Sequence, residues 1–129
     1  MEKENQRFGD FIREKRLKAP GNLTLKMVAE ELEISLSLLS DIENNRRKPF
    51  EEEKLKKFAA ITGLSKEDTE KLYDLAGRER NEIPKDIEDI MMNTEIGDMA
   101  RLALRKTKEG KISAESWKRF IEDKGDDNG

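Results

Sequence analysis

Apolar residues recur at helical spacing along most of the chain, in short runs broken by Gly, Pro, Asn and Ser. Phe8, Phe11 and Ile12 predict a first helix that stops in the loop Lys18-Ala19-Pro20-Gly21-Asn22. Thr24 is a good N-cap, and Met27, Val28 and Leu32 make one face of a short second helix ending near Glu33. Ser35 caps a third helix in which Leu39 and Ile42 share a face, with Ile34 beneath.

A fourth helix begins at Glu51, runs through Leu55, Phe58, Ala59 and Ile61, and closes at Gly63. The acids Glu51, Glu52 and Glu53 suit its first turn rather than a metal site, because consecutive helical residues point in different directions. Ser65-Lys66-Glu67-Asp68 resembles an N-terminal cap, and Leu72, Tyr73, Leu75 and Ala76 carry a fifth helix to Gly77. The polar stretch from Arg78 to Ile83, followed by Pro84, marks a soft boundary. Beyond it, Ile87, Ile90 and Met91 predict a sixth helix and Ile96, Met99, Ala100 and Ala103 a seventh. Trp117, Phe120 and Ile121 predict an eighth, after the turn Glu109-Gly110-Lys111. The organisation expected is a compact domain over 1–80, a helical extension over 81–122 and a disordered acidic tail over 123–129.

Composition narrows the class. Charged residues make up 43% of the chain and aromatic residues 5%, which favours exposed helix faces around a small aliphatic core, hence an all-α protein. The formal net charge is -3, so nucleic-acid binding must come from a local basic patch and not from the field of the whole molecule. Cys is absent, which excludes disulfides and thiolate chemistry, and His is absent, which removes the commonest general base and metal ligand. With no Gly-rich phosphate loop and no carboxylate constellation either, no catalytic residue, cofactor or metal is expected. The charged N-terminal stretch and the lack of any run of about 18 apolar residues lead to the expectation of a cytoplasmic protein without a membrane segment.

The tight joint at Glu33-Ile34 holds two short helices at a steep angle, as in a helix-turn-helix, whose second helix enters a major groove. The segments FGDFIREKR, LTLKMVAEELEISLSLLSDIENNRRKP and LKKFAAITGLS resemble the Cro/repressor (XRE-type) DNA-binding domain, over roughly residues 7 to 76. The resemblance implies a lambda-repressor-like five-helix DNA-binding domain. It implies that Arg16 and Glu43 form an internal ion pair and that Thr24 caps a helix whose N-terminus faces a phosphate. It also implies that Arg46, Arg47 and Lys48 meet the sugar-phosphate backbone after the third helix. Two departures stand out: Glu33 and Asn45 replace turn glycines, the first implying a less strained turn or a small cost, the second benign because Asn tolerates the left-handed region.

On a helix starting after Ser35, residues 36, 37, 40, 41 and 44 lie opposite Leu39 and Ile42. Leu36, Ser37, Ser40 and Asp41 are the candidates for reading bases: Leu36 against a thymine methyl, the serines toward base edges or phosphates, Asp41 accepting from cytosine N4. None offers a bidentate pair, so modest direct readout is expected, helped by DNA shape. Thr24, Lys26, Asn44, Arg46, Arg47 and Lys48 are the candidates for the DNA backbone.

One such domain covers too little DNA for tight operator binding, so a homodimer on two half-sites is expected. Met91, Met92, Met99, Trp117 and Phe120 in the extension either pack back on the first domain or form a surface for a second copy or an antirepressor protein. The function expected is a sequence-specific DNA-binding transcriptional regulator, a repressor binding double-stranded DNA at an inverted repeat. The competing expectation is a protein-binding adaptor, of antitoxin or antirepressor type, on the same fold.

Overall fold

The computed structural model describes residues 6–123. Among them lie eight helices and no strand: α1 (Phe8–Lys18), α2 (Leu25–Leu32), α3 (Leu36–Glu43), α4 (Glu52–Thr62), α5 (Lys66–Arg80), α6 (Lys85–Asn93), α7 (Gly97–Lys108) and α8 (Ala114–Glu122). The protein is all-α, as its pattern predicts. No helix among these residues is long and apolar enough to cross a membrane. Of the tail expected over 123–129, all but Asp123 lies outside the described residues. The chain divides into two compact units, the first running to Lys85 and the second beginning at Asp86.

In the first unit the helix starts follow from short polar side chains. Thr24 Oγ1 accepts the Met27 N–H at 3.1 Å, Ser35 Oγ the Leu38 N–H at 3.0 Å, and Ser65 Oγ the Asp68 N–H at 3.0 Å. Each satisfies one amide that the helix itself leaves without a partner. Asp68 does not reach back to complete the cap. Its carboxylate takes Lys15 Nζ at 2.9 Å and ties α5 to α1.

The apolar faces of α1 to α5 then close on one core. Phe8, Phe11, Ile12, Val28, Leu32, Leu39, Phe58 and Leu72 are its largest fully buried side chains. α1 lies against α3 and α5, α2 against α3 and α4, and α4 against α5. Phe50, in the loop before α4, enters this core between Phe8 and Phe58, with ring centroids 5.3 Å and 6.1 Å away. Aromatic pairs at these separations contribute about 0.5–1.5 kcal/mol beyond the area they bury.

α1 approaches α3 so closely that Gly9 has no room for a side chain. A Cβ there would strike Ile42 O and lie 2.7 Å from Glu43 O. The turn between α2 and α3 resolves what Glu33 does. Its backbone is left-handed, φ 60° and ψ 43°, and its N–H together with that of Ile34 closes α2 onto Glu30 O and Ala29 O. This is the geometry in which helices usually place Gly, so Glu33 carries the small cost and the turn is not relaxed. Lys54 Nζ of α4 donates to Leu32 O at 2.9 Å and satisfies a further carbonyl at the same end.

The second unit is built differently. α8 is anchored to α7 where Trp117 Nε1 donates to Thr107 Oγ1 at 2.7 Å, and α7 to α6 where Arg101 donates to Met91 O. Gly97 is packed against Met91, where a Cβ would clash with the Met91 carbonyl. Yet α6 and α8 contain no buried residue, and in α7 only Gly97 is buried.

Candidate nucleic-acid interface

α3 carries the residues singled out for base reading, and its structure sorts them. Leu36 and Ser37 are exposed in the first turn, Leu36 by 48% of its surface, while Ser40 and Asp41 are half-buried further along. Ser37 Oγ lies 3.5 Å from the cap hydroxyl of Ser35. Asp41 faces Arg46, with Oδ1 3.7 Å from Nη1. A carboxylate presented to DNA here brings its own counter-charge.

Asn44 lies over Ser40, on the same side of α3. α3 ends at Glu43, Asn44 is its C-cap, and its Nδ2 donates back to Ser40 O at 2.9 Å. A side chain already satisfying a helix-terminal carbonyl must give up that bond to reach a phosphate.

The loop that follows is fixed from several directions. The Arg46 N–H donates to Asp41 O at 2.8 Å. Asn45 is left-handed, φ 62°, and its amide clasps α1: Oδ1 accepts the Gly9 N–H at 2.9 Å and Nδ2 donates to Asp10 Oδ1 at 3.1 Å. Asp10 in turn accepts the Arg7 N–H at 3.2 Å. From α5, Arg80 Nη1 donates to Pro49 O at 3.0 Å. Between these tethers Arg46, Arg47 and Lys48 stand exposed. A fixed backbone presenting three cations loses little freedom when they bind phosphate.

Those cations share an open polar cleft of about 400 Å³ with Arg7, Asn45 and Glu79. Arg7 pairs with Glu79 at 3.0 Å, and Glu79 also accepts the Phe8 N–H at 2.9 Å. Burial pushes the Glu79 carboxyl up, but the hydrogen bonds from Arg7 and the Phe8 N–H, with Arg7's charge, outweigh it and leave the group below its ordinary value. The same bond, followed by the carboxylate's charge, raises Arg7. Arg7, Glu79 and the Asn45 clasp did not emerge from the sequence. Their partners lie 35 or more positions away, so no local pattern marks them.

Beneath the surface, Arg16 and Glu43 meet in a two-pronged pair, Nε to Oε2 at 2.8 Å and Nη2 to Oε1 at 3.0 Å. Their side chains are 11% and 5% exposed, and Arg16 also donates to Leu23 O at 3.2 Å. The pair joins α1 to the end of α3 and holds the loop before α2. Thr24 and Lys26 are exposed at the start of α2, where the unpaired amides of a helix N-terminus favour an anion.

This arrangement, two short helices joined through a left-handed turn with a basic loop after the second, defines a class. A family model described as the helix-turn-helix domain matches residues 7–72, half of the chain. The chain belongs to the helix-turn-helix domain family, and the domain suggests a DNA-binding regulator. Comparison with curated proteins and with solved structures returned no match.

Proposed function

We propose that the chain is a sequence-specific transcriptional regulator of the Cro/repressor type, a repressor that binds an inverted-repeat operator in double-stranded DNA as a dimer. The observation that carries this reading is the basic loop Arg46-Arg47-Lys48, tethered to α1 through Asn45 and to α5 through Pro49 at the end of an exposed α3. Arg46, Arg47 and Lys48 take backbone phosphates, with Lys26 and the Thr24-capped start of α2 on a neighbouring one and Asn44 joining after release from Ser40. Leu36 packs on a thymine methyl, Ser37 and Ser40 bond to base edges, and Asp41 accepts from a cytosine amino group. Direct readout of this kind is modest, so much of the affinity is electrostatic.

The test is a binding titration on fragmented duplex DNA across salt concentrations. The three loop cations and Lys26 of each copy, eight in a dimer, give a slope of log K against log salt of about -7. Arg46→Ala/Arg47→Ala removes four of those contacts and flattens the slope to about -4. A slope near zero for the wild-type protein contradicts the reading. It would favour an adaptor whose α3 meets a protein partner such as an antirepressor, a use that the half-exposed Leu36 and the internally paired Asp41 suit.

A further inference from the structure

The second unit has a fixed internal geometry and no core. Trp117 locks α8 to α7 and Arg101 locks α7 to α6, while the large apolar side chains of these helices remain outside. Ile87 and Ile90 on α6, Met99 and Leu102 on α7, and Phe120 and Ile121 on α8 are between 39% and 76% exposed. With Met92, Ile96 and Leu104 they leave roughly 1,000 Å² of apolar side chain exposed across the three helices, comparable in amount to what one partner contributes to a standard interface. A segment of this size rarely stays folded without oligomerisation or another brace.

Charge says what covers this surface. α6 carries Asp86 and Asp89 along one flank of its Ile87 and Ile90 stripe, and α7 carries Arg105 and Lys106 close to the line of Met99 and Leu102. One helix is acidic and its neighbour basic, so the surface is complementary to itself after a twofold rotation. We infer that residues 86–123 form a homodimerisation module, in which α6 of one copy packs on α7 of the other. The module rests on the operator-binding proposal only for its purpose, which is to set two α3 helices over two half-sites. Pairing itself requires no DNA.

The experiment is light scattering and analytical centrifugation of the full chain without DNA, for the wild type and three variants. The first, Leu102→Glu, places a charge in the apolar face and weakens pairing at least a hundredfold. The second, Asp86→Lys/Asp89→Lys, makes α6 and α7 both basic, and the third, Arg105→Glu/Lys106→Glu, makes both acidic. Each of these two weakens its own pairing at least tenfold, and mixing them restores a one-to-one dimer, since each α6 then faces an opposite α7. Circular dichroism should show wild-type helicity in the two charge variants, whose substitutions are on exposed or half-exposed positions. A monomeric wild type at tens of micromolar overturns the inference, because the surface is then covered by something other than a second copy. A dimer indifferent to all three variants also overturns it, by placing the interface elsewhere. Dimers that behave as expected but give no salt-dependent DNA binding leave the module standing and remove the operator reading.

Discussion

The Asn45 amide joins the end of the α3 turn to the start of α1: it accepts the Gly9 N–H at 2.9 Å and donates to Asp10 at 3.1 Å from a left-handed backbone. Glycine could supply the conformation but not the clasp. Asn45→Gly therefore costs about 1 kcal/mol, the worth of the lost bonds, and Asn45→Ala costs about 2–3 kcal/mol because it adds backbone strain. Urea unfolding of the three proteins measures both. A glycine variant as stable as wild type would show that the clasp contributes nothing.

Gly9 makes the complementary case. Gly9→Ala drives a methyl into the Ile42 carbonyl and separates α1 from α3, at a cost of about 1–3 kcal/mol. Thermal unfolding should show the loss. At Gly63, where the surroundings are open but φ is 65°, alanine acts through the backbone alone and costs about 1–2 kcal/mol.

Glu33 sits where helices usually end in glycine. Glu33→Gly should stabilise the first unit by about 0.5–1 kcal/mol, the left-handed strain relieved less the extra freedom glycine gains when unfolded. An unchanged or lowered melting temperature would mean that the side chain makes a compensating contribution.

The Arg16–Glu43 pair is nearly buried, so removing one member leaves the other charged and unpartnered. Glu43→Leu should cost about 3–5 kcal/mol, whereas Arg16→Met/Glu43→Leu should recover most of that loss. Additive losses in the double variant would show that the two groups do not act as a unit.

Acid sensitivity follows from Glu79. Its folded-state value lies below the ordinary 4.5, so the unfolded chain takes up the proton first. The stabilisation is whole above about pH 4.5 and fades as pH falls through the lower folded value. Glu79→Gln should therefore be less stable than wild type at pH 7, with the gap narrowing below pH 4.5 in urea titrations. A gap that does not change with pH would assign the effect to packing.

Much of the fold could be read from the chain, because helix existence depends on local spacing and capping. The stripes at Phe8, Val28, Leu39, Leu55 and Leu72 and the caps at Thr24, Ser35 and Ser65 each lie within a few residues of what they satisfy. Phe50 was not legible as core: it is a lone aromatic after Pro49, in no periodic run, and only the meeting of α1 and α4 buries it. A helical projection shows Asn44 beside Ser40 on α3, but not that α3 ends there with the Asn44 amide already bound to the Ser40 carbonyl. The Asn45 clasp, the Arg7–Glu79 pair and the Arg80 tether are tertiary, joining residues whose nearness no spacing encodes.

Operator binding by α3 and its basic loop, as proposed, can be tested directly. The most direct measurement is capture of fragmented genomic DNA by the full chain, with sequencing and footprinting, beside Arg46→Ala/Arg47→Ala as control. The account predicts a short inverted repeat with half-sites about 10 base pairs apart, or a whole number of turns, protected by the wild type and not by the variant. Recovery of the same featureless background by both proteins would contradict it.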